Sequence, residues 1–145
     1  MFPDAKFIYL MRNPYTVFES TRSFFTNTIK PLKLEDISDT QLESNILDIY
    51  MKLYDRYEAD KHLIPQDNLI EVKFEDFEAN PSQMTRDIYS KLRIPGYDEA
   101  HDSIEAYLSK KKGYKKNAYK YDPRTVELVE THWAKPLKDW DYKLQ

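Results

Sequence analysis

Residues able to do chemistry stand at three places in this 145-residue chain. The first is Lys6–Ser20, KFIYLMRNPYTVFES, where Arg12 stands between a short apolar run and the start of a helix. A guanidinium stays charged and offers a planar fork of donors that matches carboxylate or phosphate, so Arg12 either pairs with an acid at a sheet edge or binds an anionic ligand. The second is Phe74-Glu75-Asp76, and the third is Lys110–Lys120, KKKGYKKNAYK, six lysines and no acid with Tyr114 and Tyr119 interleaved. A lysine run is commonly a solvated face. His62, His101 and His132 have neither metal-ligand spacing nor a motif neighbour and read as surface or core residues.

The elements that must position these groups follow from periodicity. Phe7–Met11 is a continuous apolar run, the pattern of a parallel strand buried on both faces. Asn13 suits an N-cap and Pro14 the first helical position, so strand, turn and helix follow one another directly. Such a joint aims backbone N–H groups at the carboxyl edge of a sheet, where anions bind in open α/β folds. The helix is expected over Pro14–Thr28, with Val17, Thr21, Phe24, Phe25 and Thr28 on its buried side, stopped by Pro31 and followed by a loop over Lys30–Ile37. Ser20 falls at the margin of that stripe.

Ser38 and Gln41 have capping-box spacing and open a long helix to about Lys61, its stripe being Leu42, Ile46, Ile49, Tyr50, Leu53 and Tyr57. Leu69–Phe74 reads as a second strand, with Ile70, Val72 and Phe74 on one face. Asn80-Pro81 starts a helix buried through Met84, Ile88 and Leu92 and ended by Pro95-Gly96, and Tyr97–Ser109 a short one carrying Ile104 and Leu108. Asp122-Pro123 starts the last helix, with Val126, Val129 and Trp133 inward; Pro136 is expected to break it before a cluster of Leu137, Trp140 and Tyr142.

Composition removes whole classes of function. A net charge of −3 and a pI near 5.7 supply no global basic field for nucleic acid. With no cysteine there is no disulfide framework, thiolate metal site or cysteine nucleophile. Only two glycines, Gly96 and Gly113, occur, so no glycine-clustered phosphate loop is present. No apolar run approaches the roughly 20 residues that span a bilayer, and MFPDAK lacks the basic and apolar regions of a signal peptide. With Met1 as native start, a cytoplasmic chain is expected.

Arg12-Asn13-Pro14 with Ser20 eight residues after the arginine resembles the 3′-phosphate-binding motif of sulfotransferases that use 3′-phosphoadenosine 5′-phosphosulfate (PAPS). In a helix from Pro14, Ser20 lies roughly 9 Å along the axis, so one phosphate would meet Arg12 and the Ser20 hydroxyl along the helix flank. Val72–Pro81 resembles the family's strand, aromatic-Glu-Asp segment and helix. The aromatic, often a tyrosine near the adenine, is Phe74 here, which keeps a stacking face without a hydroxyl; core packing is its other reading. Lys115-Lys116-Asn117-x-Tyr119 before the last helix resembles the basic segment that closes over the 3′-phosphate.

The resemblance implies an α/β fold: a partial P-loop-NTPase-like sulfotransferase domain, one domain over 1–145, with few parallel strands and predominantly helical surroundings. It covers about the C-terminal half of a typical family domain. The loop that holds the 5′-phosphosulfate and the base on the acceptor would lie before Met1, so no catalytic residue is named. The implied co-substrate is PAPS, with no metal; the site residues are Arg12, Ser20, Phe74, Lys115, Lys116 and Asn117. The acceptor is open between sugar, lipid, peptide tyrosine and small phenol. A two-stranded parallel sheet is not a stable core, so a partner chain covering the open sheet is expected. The rival reading is a non-catalytic, helix-rich interaction module derived from the same fold.

Overall fold

The structure is a computed structural model that describes residues 4–29, 36–111, 113 and 119–144. It is mostly helical, with one two-stranded parallel sheet. The chain forms two compact units. One holds the described residues of Met1–Arg12 and His62–Asn117, the other those of Asn13–Lys61 and Ala118–Gln145.

In the sheet unit, β1 (Phe7–Met11) pairs in parallel with β2 (Leu69–Lys73), from Phe7↔Leu69 to Met11↔Lys73. Lys6 Nζ donates to Asn68 Oδ1, tying the entrances of the two strands. Then come α3 (Phe74–Ala79), α4 (Pro81–Lys91) and α5 (Tyr97–Lys111). Asn80 caps α4 by accepting from the Gln83 N–H at 3.4 Å. Ile88 and Leu92, one helical turn apart, pack on Val72 with Ile70, Phe77, Met84 and Ile94 around them. The predicted α4 stripe is the observed one.

Two expectations fail here. The second strand stops at Lys73, and Phe74 begins α3. The expected burial of β1 on both faces is also overturned. Ile8 and Leu10 match Ile70 and Val72 in register, yet they are 51% and 54% exposed, and Phe7 is exposed as well. Parallel neighbours matched in register share a face. Helices therefore cover the β2 half of that face and leave the β1 half bare.

The helical unit contains α1 (Pro14–Phe24), continued by a π-helical turn over Phe25–Ile29, α2 (Asp39–Asp60), α6 (Pro123–His132) and α7 (Ala134–Asp139). Asn13, Ser38 and Asp122 cap α1, α2 and α6 as expected, accepting from the N–H groups of Tyr15, Gln41 and Thr125. Trp133 is fully buried. Its ring stacks on Tyr50 at 3.8 Å and meets Phe18 edge-on at 5.8 Å, while its indole N–H donates to the Leu47 carbonyl at 3.1 Å. Leu42, Ile46, Leu47, Val129 and Leu137 complete this core.

Here too the predicted stripes shift. The buried side of α1 is Tyr15, Phe18 and Glu19, whereas Phe24, Phe25 and Thr28 are exposed. A polar network turns the helix this way. Glu19 accepts from Arg22 at 2.7 Å and from the Thr125 hydroxyl at 2.7 Å, and Glu43 accepts from Arg22 at 3.2 Å and from Arg124 at 3.3 Å. Buried carboxylates are stable only with such partners. On α2, Glu43, Leu47 and Tyr54 join the buried set, while Ile49 and Leu53 of the expected stripe stay exposed. Pro136 does not break a helix. The break falls at Trp133, and Pro136 is the third residue of α7, where its missing N–H costs nothing. Pro31 and most of the predicted loop, residues 30–35, lie outside the described residues.

Candidate functional site

The parallel register sets the geometry at the carboxyl edge of the sheet. After the last matched pair, Met11↔Lys73, each strand delivers its next residue at the same level: Arg12 from β1 and Phe74 from β2. The Arg12 guanidinium lies over the Phe74 ring, 4.5 Å from its centroid. A cation on an aromatic face at this distance contributes about 0.5–2 kcal/mol according to its exposure. Arg12 is half-buried and has no carboxylate partner among the described residues. Among the described residues, the group that meets the Arg12 guanidinium is the Phe74 ring rather than a carboxylate.

Phe74 also lines a groove of about 610 Å³ with Phe77, Pro81, Tyr107 and Leu108, and with Glu78 and Lys111 as its charged lining residues. The Lys111 ammonium lies 5.6 Å from the Tyr107 ring centroid. The groove is large enough for a nucleoside-sized ligand and offers three aromatic rings to a planar one. Glu75 and Asp76 occupy the first turn of α3 and complement that helix end themselves.

The structure thus brings together two of the residues singled out in the sequence, Arg12 and Phe74. Ser20 belongs to the helical unit, half-buried on α1. Lys115, Lys116 and Asn117 lie outside the described residues. Phe77 and Tyr107 were not singled out, and Lys111 only as one member of the lysine run Lys110–Lys120. Their signal was helical spacing: Phe77 is three residues after Phe74, and Lys111 four after Tyr107.

Other chemistry among the described residues is structural. No group of three or more His, Asp and Glu is placed to hold a metal ion. His101 pairs with its neighbour Asp102 at 3.2 Å and meets Tyr97 edge-on. The Tyr15 hydroxyl is pushed up to about 12 by burial, reinforced by its hydrogen bond to Glu130. Burial and the bond to Asp139 raise Tyr54 in the same sense. Burial alone would lower Arg22, but Glu19 and Glu43 hold it above its ordinary value. No helix among the described residues is long and apolar enough to cross a membrane.

Residues 1–99 match the sulfotransferase family. The chain is also similar to the omega-hydroxy-beta-dihydromenaquinone-9 sulfotransferases of Mycobacterium bovis and Mycobacterium tuberculosis. Each is 25% identical over 142 residues, which is 98% of this chain and 37% of the relative. The chain therefore spans little more than a third of the length of these curated relatives. No solved structure matches it at a significant level.

Proposed function

Because this chain belongs to the sulfotransferase family, we propose that it binds the 3′-phosphate and adenine part of PAPS for sulfuryl transfer to a hydroxyl or amine acceptor. The observation that carries this reading is the Arg12 guanidinium, 4.5 Å over the Phe74 ring and without an acidic partner among the described residues. Arg12 takes the 3′-phosphate through a charge-assisted fork. Phe74 and the aromatic groove beyond it take the adenine. Ser20, Lys115, Lys116 and Asn117 are further phosphate contacts on the strength of the motif, and the larger fold is P-loop-NTPase-like by the same resemblance. In the reaction, an acceptor oxygen or nitrogen bonds to sulfur as the sulfur–oxygen bond to the 5′-phosphate breaks, releasing adenosine 3′,5′-bisphosphate, and the acceptor proton passes to a base.

The acceptor is taken to be a hydroxylated apolar molecule, the kind that the mycobacterial relatives' name gives as omega-hydroxy-beta-dihydromenaquinone-9. The test of the donor site is a thermal-shift titration with adenosine 3′,5′-bisphosphate. Stabilisation well beyond that from adenosine 5′-monophosphate supports the reading; equal stabilisation, or none, sinks it.

A second reading is favoured by the bare β1 half of the sheet, where Phe7, Ile8 and Leu10 are exposed. Apolar side chains on an unpaired parallel edge suit a partner chain that covers the open sheet, and the chain would then be a binding module without catalysis. Arg12→Ala separates the two: it abolishes bisphosphate binding on the first reading and leaves partner binding unchanged on the second.

A further inference from the structure

Among the described residues, three hydrogen bonds made by hydroxyl groups join α1 to residues 121–130. The Tyr15 hydroxyl donates to the Glu130 carboxylate at 3.1 Å, and the Thr125 hydroxyl donates to the Glu19 carboxylate at 2.7 Å. In both, the hydroxyl hydrogen is spent on a group that only accepts. The third bond differs. Thr16 Oγ1 and the Tyr121 phenol oxygen lie 2.6 Å apart, so two hydroxyls share one bond and either can be its donor. One hydrogen makes that bond, and the other has no acceptor among the described residues.

The pair stands where a ligand can use that hydrogen. Thr16 precedes Ser20 by four residues, one turn of α1, so the two hydroxyl-bearing side chains are neighbours on one flank of the helix. Thr16, Ser20 and Tyr121 are each half-buried. The Cβ atoms of such a pair stand roughly 5–6 Å apart, a gap that one phosphate spans with two hydrogen bonds of about 2.7 Å. Ionised phosphate oxygens are strong acceptors, so they match a hydrogen in surplus. A hydroxyl that already accepts a bond is polarised by it and donates more strongly in turn. Glu127 and Glu130 line a groove with Tyr121 and repel an anion there, which leaves the flank of α1 as its approach.

We propose that Thr16 and Tyr121 extend the phosphate-binding flank that Ser20 opens, and that their surplus hydrogen is donated to the 3′-phosphate of the nucleotide. The proposal rests on the donor reading above. It makes the pair a specificity device, which tells a nucleotide with a 3′-phosphate from one without.

The test titrates the 145-residue chain with adenosine 3′,5′-bisphosphate and with adenosine 5′-monophosphate by calorimetry, in the parent and in four variants. Tyr121→Phe removes only the hydroxyl and keeps the ring, which meets Tyr15 at 5.6 Å, while Thr16→Val keeps the side-chain shape. Each is expected to weaken bisphosphate binding about tenfold, as the loss of a hydrogen bond to a charged group does, and to leave monophosphate binding unchanged. Thr16→Ser retains the hydroxyl and is expected to keep the parent affinity. Tyr15→Phe breaks a tether of the same kind whose hydrogen is already spent, so it lowers the melting temperature without changing either affinity. An unchanged preference for the bisphosphate in Tyr121→Phe and Thr16→Val overturns the proposal. An equal loss in Tyr15→Phe does so too, because the pair is then a tether alone. A parent that does not distinguish the two nucleotides overturns the donor reading itself.

Discussion

Arg12 and Phe74 meet because they are the first residues beyond the same matched pair of a parallel ladder, and the guanidinium consequently rests 4.5 Å over the ring. The contact is set by register, so neither residue has to reach for the other. An arginine held this way forfeits little freedom on meeting a phosphate.

Arg12→Ala is expected to abolish the thermal stabilisation by adenosine 3′,5′-bisphosphate. A charge-assisted hydrogen bond is worth about 1.5–3 kcal/mol, so affinity falls by roughly ten- to a hundredfold. Arg12→Lys keeps the charge and loses the fork, and recovers only part. Phe74→Tyr binds as well as the parent, whereas Phe74→Leu loses base stacking, a pattern that titration of the three proteins distinguishes.

Glu43→Gln tests the polar network of the helical unit. Glu43 is buried and accepts from Arg22 and Arg124. Arg124 is largely exposed and Arg22 partly so, which tempers the loss. Destabilisation of about 1–3 kcal/mol is expected in urea unfolding. Arg124→Ala should cost less, because its partner keeps Arg22.

Asp122 gives the acid limb of stability. The Thr125 backbone N–H that it accepts in capping α6 holds its pKa below the ordinary carboxylate value. A depressed folded pKa adds stability above the unfolded value, near 3.9, and that stability is lost as pH falls through the lower folded value. Asp122→Asn keeps the cap acceptor and should flatten the melting temperature below about pH 4; Asp122→Ala loses the cap itself, about 1 kcal/mol at neutral pH.

Tyr15 gives the alkaline limb with the opposite sense. Its neutral form is favoured in the folded chain, where burial and Glu130 raise it to about 12. That contribution is complete below the unfolded value of about 10 and drains away as pH rises from there to the folded value. Tyr15→Phe should make stability less steep between pH 10 and 12, as measured by denaturant melts.

Local chemistry made much of this legible in advance. β1 has the predicted bounds, and four caps, Asn13, Ser38, Asn80 and Asp122, stand where spacing placed them, because a cap is decided by a side chain and the amides just beyond it. What escaped depends on distant partners. Glu19 is buried because Thr125, more than a hundred residues later, donates to it, and no local period of α1 announces that. Helix α3 was hidden because it begins at the residue where the strand ends, with no turn signal between. At the site, Arg12 and Phe74 could be named from their segments, but the placing of Tyr107 in the groove lined by Phe74 belongs to tertiary packing alone.

Both units are woven from two separated stretches of chain, 1–12 with 62–117 and 13–61 with 118–145. During synthesis β1 therefore leaves the ribosome long before Leu69–Lys73 exist to pair with it. At about 5–20 residues per second this gap lasts on the order of seconds. Throughout it Phe7, Ile8 and Leu10 travel as an orphaned oily strand. Of this sheet, the strand made first is thus paired late, only once its neighbour has been added to the chain.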